Sequence, residues 1–223
     1  MHIRASVPVT IAALALSAGL APQAHAGLVT LQVNSATGVG SGISYGASYQ
    51  GTLQWSYTGG TAATVTVSLT NTSSVQSNLA AFVVGLADTS MQVTQVLAPA
   101  NFAQLTGNGL KATPFGDYDW GSASTGTFNG GGNTTGLAKG QSGTWVFSVS
   151  GTAAALAAVS GPSVFNGVNA WDFVVHVKGI SSGSGGGSVS EKLTSTLSSV
   201  TVPAPGAAAL AGIAALVARR RRS

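Results

Sequence analysis

The run Thr64-Val65-Thr66-Val67-Ser68-Leu69-Thr70 alternates hydroxyl and aliphatic residues without a break. Successive side chains of an extended strand point to opposite faces, so Val65, Val67 and Leu69 share one surface and the hydroxyls the other. A helical period would scatter the same aliphatic residues around its girth. A strand of this kind needs a second layer to cover its apolar face. Trp145-Val146-Phe147-Ser148-Val149 repeats the pattern with Trp145, Phe147 and Val149 inward, and Phe173-Val174-Val175-His176-Val177 sets Phe173, Val175 and Val177 opposite Val174 and His176. On that alternation His176 reads as a solvent-side strand histidine. Residues 28–33, 52–57, 79–86 and 91–97 are further short β-rich runs bounded by Gly, Asn, Ser and Asp. The sequence therefore predicts an all-β fold, an antiparallel β-sandwich of the jelly-roll or immunoglobulin-like kind over residues 27–201. That stretch is long enough for one core between two sheets, with Leu53, Trp55 and Tyr57 on the core face of their strand. Residues 101–143 are rich in turn formers and are expected as long loops around one or two short strands. Residues 153–159 suit a short helix or a strand, residues 181–188 a flexible turn, and residues 189–202 the last strand.

Charge is scarce and misplaced for a basic protein. The chain has nine Lys and Arg against five Asp and Glu, yet Arg4 and Arg219 to Arg222 lie at its ends. The body keeps Lys111, Lys139, Lys178 and Lys192 against Asp88, Asp117, Asp119, Asp172 and Glu191, a net charge of −1. Scattered lysines without interleaved aromatics cannot track a phosphate backbone, so no nucleic-acid partner is expected. The absence of cysteine removes disulfides, thiolate zinc sites and cysteine nucleophiles.

Both ends read as processing signals. Residues 1–26 carry Arg4 in a short positive start, an apolar run from Val7 to Leu20, and Ala24-His25-Ala26 as a small-x-small cleavage site. That is the layout of a secretory signal peptide, with maturation at Gly27 and signal peptidase as a partner. Residues 202–223 read VPAPGAAALAGIAALVARRRRS. The apolar stretch from Gly206 to Ala218 makes about 20 Å of helix, short of the ~30 Å hydrocarbon core unless the arginines snorkel. The positive-inside rule keeps Arg219, Arg220, Arg221 and Arg222 cytoplasmic and leaves the preceding body outside. A short C-terminal transmembrane helix is the expectation.

Pro203-Ala204-Pro205-Gly206, the short apolar helix and the terminal arginines together resemble a PEP-CTERM sorting tail, the bacterial signal processed by exosortases. Ala204 stands where the family commonly has Glu, which makes this a Pro-Ala-Pro form. The resemblance implies export, cleavage near the prolines by an exosortase-type enzyme, loss of the arginines, and a destination at the cell surface or in an extracellular polysaccharide matrix. The middle of the chain is similar in its diffuse patterning to the ectodomains found before such tails.

Three sets of residues invite chemistry. Gly42-Ile43-Ser44-Tyr45-Gly46 fits the G-x-S-x-G spacing of a nucleophile elbow, with Asp172 or an earlier Asp and then His176 available downstream, but an elbow needs a strand, a turn and then a helix, and residues 48–57 read as a strand. Asp172 and His176, four apart on a strand, would stand about 13 Å from each other. Asp117-Tyr118-Asp119-Trp120 pairs two carboxylates in a loop, where they suit turn closure, acid and base work, or calcium completed by carbonyls and Asn101, Asn108 or Asn129. Tyr118 and Trp120 are the aromatics placed for an exposed glycan contact. No cofactor, metal or catalytic residue is assigned. The expected function is that of a non-enzymatic exported surface or matrix protein, with a carbohydrate- or calcium-binding module as the alternative and a secreted hydrolase third.

Overall fold

The computed structural model describes residues 27–34, 44–86, 88–105, 110–129, 135–159, 173–181, 188–195 and 198–200. The signal-peptide, sorting-tail and transmembrane assignments fall on residues 1–26 and 202–223, outside the described residues. The first strands are β1 (Gly27–Asn34), β2 (Tyr49–Tyr57), β3 (Ala62–Asn71), β4 (Asn78–Val84), β5 (Gln92–Leu97) and β6 (Ala103–Leu105). Shorter pieces follow: β7 (Leu110–Lys111), β8 (Asp117–Tyr118), β9 (Trp120–Ala123) and β10 (Leu137–Ala138). The chain continues with β11 (Ser142–Ser150), helix α1 (Ala153–Ala157), β12 (Phe173–Ser181), β13 (Ser188–Ser195) and β14 (Ser198–Val200).

The architecture is all-β and antiparallel. One sheet runs β14-β1-β2-β3-β11-β5 and the other β13-β12-β4-β9-β6, with β10 also on β4 and β7 paired to β8 apart from both. Val65, Val67 and Leu69 of β3 and Trp145, Phe147 and Val149 of β11 are buried as their alternation predicts, and Leu53, Trp55 and Tyr57 of β2 join them. The two sheets share this core. Phe82 of β4 stacks on Phe173 of β12 at 5.5 Å and meets Trp145 edge-on at 5.1 Å and Phe147 at 6.2 Å. Each such ring contributes about 1.5–3 kcal/mol through burial, and its favourable ring pairs about 1 kcal/mol more.

The outer face of the first sheet is wet and uncharged. Register places Gln32, Thr52, Ser68 and Thr144 in one row across β1, β2, β3 and β11, and Gln50, Thr70 and Ser142 in the next. The hydroxyls bond across strands, Thr70 to Ser142 at 2.7 Å and Ser68 to Thr144 at 3.2 Å.

The second sheet departs from the one-face expectation. From Phe173 to Lys178 every residue of β12 is buried, and β9 is buried throughout. The cause is a third, small layer: Ala112, Tyr118 and Phe128 pack with Leu105, Ala81, Val83, Ala123 and Val174 on the face away from the main core. Alternation alone cannot show a cover contributed from elsewhere in the chain, so the solvent-side reading of His176 is corrected. Residues 153–159 contain α1, opened by Thr152, whose hydroxyl accepts from Ala155 N–H at 3.2 Å. The single last strand expected over residues 189–202 is also corrected. β13 pairs with β12 in the second sheet while β14 pairs with β1 in the first, so the chain changes sheet between them.

Candidate functional site

The segment from Asp117 to Trp120 steps from one layer to another. Lys111 and Asp117, and Leu110 and Tyr118, are partners in the small hairpin, whereas Trp120 opens β9. Tyr118 is 1% exposed in the covering layer, and Trp120 is 2% exposed in the main core, with its ring 4.7 Å from that of Phe147. Neither ring offers a face to a glycan, which corrects the exposed-aromatic expectation. Burial of such large apolar area outweighs a surface position unless a ligand covers it. Asp119 turns the corner: its Oδ2 accepts Leu86 N–H at 2.6 Å and its own N–H donates to Val84 O at 3.1 Å. Asp117 is exposed. Asn129, one of the amides offered for calcium, donates to Lys111 O at 2.7 Å and accepts from Lys192 at 2.9 Å. Among the described residues no group of three or more His, Cys, Asp or Glu side chains converges.

Ser44 is exposed, and its Oγ accepts Gly46 N–H at 3.4 Å. The chain beyond it enters β2 rather than a helix, so the elbow geometry is not built. Asp172, Gly42 and Ile43 lie outside the described residues. His176 is 2% exposed, and its Nδ1 lies 2.6 Å from Phe128 O. Burial, assisted by repulsion from Lys178 and Lys192, pushes its pKa down to about 4. Ser44 and His176 thus each bond within their own surroundings.

Three arrangements carry no local sequence signal. Glu191 is 1% exposed on the inner side of β13, where its Oε2 accepts Tyr45 N–H at 3.2 Å; desolvation raises its pKa. Gln104 lies along the outer edge of β5, accepting Gln95 N–H at 2.7 Å and donating to Val93 O at 2.6 Å. A shallow groove of about 520 Å³ crosses the first sheet, lined by Gln32, Gln50, Thr52, Ser68 and Thr70 among others. Gly51 and Gly143 lie in the groove without side chains, and a Cβ at Gly51 would meet the Ser68 carbonyl.

The sorting and processing residues Ala24, Ala26, Pro203, Ala204, Pro205, Gly206, Arg219, Arg220, Arg221 and Arg222 all lie outside the described residues. Among the described residues no helix is long and apolar enough to cross a membrane. Compared with known protein families, curated proteins and solved structures, the chain matches none.

Proposed function

We propose that this chain is a non-enzymatic exported protein of a bacterial surface or extracellular polysaccharide matrix, sorted through a PEP-CTERM-like tail. The carrying observation is the order at the C-terminus, in which Pro203-Ala204-Pro205-Gly206, an apolar run and Arg219 to Arg222 follow one another, opposite a leader ending in Ala24-His25-Ala26. In this reading signal peptidase acts before Gly27, the inner membrane holds the short tail helix in transit, and an exosortase-type enzyme cuts near the prolines. The two antiparallel sheets are read as a β-sandwich body spanning residues 27–201. Support comes from β1 and β14, the first and last described strands, which pair with each other and so border one unit between the two signals. The uncharged rows of Thr, Ser and Gln on the first sheet suit surroundings rich in glycans, since they offer hydroxyl and amide contacts without a net field.

The test is intact mass and cell fractionation of an epitope-tagged chain in an exosortase-bearing host, beside a copy lacking residues 206–223. Sorting requires that mature protein begin at Gly27, lose its arginines and reach the surface only when the tail is present. Retention of the arginines, with identical placement of both copies, overturns the reading.

A further inference from the structure

The outer face of the second sheet gathers basic side chains that the sorting reading does not use. His176 and Lys192 are register partners on β12 and β13, and Lys178 lies two residues beyond His176 on the same face. His176 and Lys178 are each 2% exposed. Phe128 ties the group together, with its ring 5.4 Å from the imidazole and 5.5 Å from the Lys192 ammonium. Its carbonyl, 2.6 Å from His176 Nδ1, can only accept, so Nδ1 carries the proton of the neutral ring. Among the described residues His176 Nε2 is then a buried polar atom without a partner.

Lys178 is buried on the same face. Burial lowers its pKa, and among the described residues no hydrogen bond or carboxylate acts against that effect. Glu191 is not its counter-ion, because it is registered with Val177, a core residue, and faces the other side of the sheet. Lys192 is half-buried and stands at the rim, where its ammonium donates to Thr113 O at 2.7 Å and Asn129 Oδ1 at 2.9 Å. Native folds that retain a buried unsatisfied polar group, as His176 Nε2 is here, commonly hold an ion, water or ligand against it.

We propose that His176, Lys178 and Lys192 form a binding site for one oxyanion group, a carboxylate, sulfate or phosphate, taken up together with a proton on His176 Nε2. The protonated ring donates Nδ1–H to Phe128 O and Nε2–H to the anion, and the two ammonium groups supply the remaining charge. The proton comes from solvent and returns to it when the anion leaves. Repulsion from Lys178 and Lys192 disfavours the imidazolium, and an oxyanion among them cancels that repulsion, so binding and protonation reinforce each other. The other charged groups of the covering hairpin, Lys111 and Asp117, are exposed. The shared chemistry admits a free anion or the acidic sugar of a polysaccharide, and the site stands independently of how the chain is sorted.

The experiment follows the His176 ring by ¹H–¹⁵N NMR in the full chain, assigned with His176→Gln, between about pH 3 and 7. Sodium sulfate and an oligogalacturonate are each compared with sodium chloride at equal ionic strength. Either anion should raise the His176 midpoint saturably, by about one pH unit, and Lys178→Met should weaken that binding about tenfold. Saturation at lower oligogalacturonate than sulfate assigns the sugar source, and saturation by sulfate alone assigns a free anion. One midpoint shared by all three salts overturns the proposal, as does unchanged affinity in Lys178→Met. If that variant does not fold, the comparison of salts on the unaltered chain decides.

Discussion

His176 has the same chemistry whether on a wet strand or a dry one, but its surroundings reverse its effect on stability. In the unfolded chain it titrates near its ordinary value of 6.5, whereas burial holds it near 4 in the fold. Between those values the unfolded state binds more protons, so stability is full above about pH 6.5 and falls as pH drops towards 4. The charged groups acting on it are Lys178 on its own strand and Lys192 on β13. Denaturant melts in sodium chloride at a series of pH values should show a loss of about 3 kcal/mol across this window. His176→Gln should flatten most of that slope, and an unaltered slope in the variant would place the titration elsewhere. Asn71 is the opposite kind of buried polar residue. Its Nδ2 donates to Leu137 O at 2.9 Å and Ser77 O at 3.2 Å, and its Oδ1 accepts Ser73 N–H at 3.2 Å, so it joins β3, β10 and the turn before β4 with every polar atom engaged.

At the scale of elements, β5 shows how an open edge is closed. It pairs with β11 on one side, and on the other the Gln104 carboxamide takes the place of a neighbouring peptide, while Ser122 Oγ bonds Gln95 at 2.7 Å. Val96 and Leu97, beyond that plug, are 67% and 55% exposed. Gln104→Ala therefore leaves a free Gln95 N–H and Val93 carbonyl beside exposed apolar residues, a template for pairing with another chain. The variant should lose about 1–2 kcal/mol of stability and scatter light increasingly with concentration where the parent does not. The alternation of β3 and β11 made their burial legible in the sequence, because a period of two has one physical reading when every second residue is large and apolar. The covered outer face of β12 was not legible, since Val174 and His176 look the same whether water or Phe128 stands over them. Tyr118 and Trp120, two residues apart, suggested one exposed platform, and the step at Asp119 sends them into different layers. Gln104, Glu191 and the grouping of Lys178 with Lys192 arise from tertiary placement, which no local spacing encodes.

At the scale of the whole molecule, the two sheets are joined late in the chain. β13 completes the second sheet against β12, and β14 completes the first against β1. A chain ending at residue 187 lacks both strands and uncovers Val175, Leu31 and their neighbours, so it should show no cooperative thermal transition. A chain ending at residue 201 keeps both and should melt within a few degrees of the full chain, by circular dichroism. Equal melting of the two truncations would mean that the closing strands contribute little. The contacts that β14 makes are long-range, with Gln32 registered to Ser198. Such pairings require closure of large loops before they stabilise anything, which slows folding until nearly all the chain is available.

The pairing of β1 with β14 also decides how the body responds to being pulled. The strands are antiparallel, with Thr30 opposite Val200, so the start of β1 and the end of β14 emerge at the same pole. A tether attached beyond Val200 therefore holds the body by the end at which Gly27 begins, and presents the opposite pole, where Asn34 meets Gln50, outward. Tension between the two chain ends opens the β1–β14 ladder one hydrogen bond at a time, as a zip, and does not load all its bonds together in shear. The body is mechanically weak along that line and firm when drawn from its distant pole.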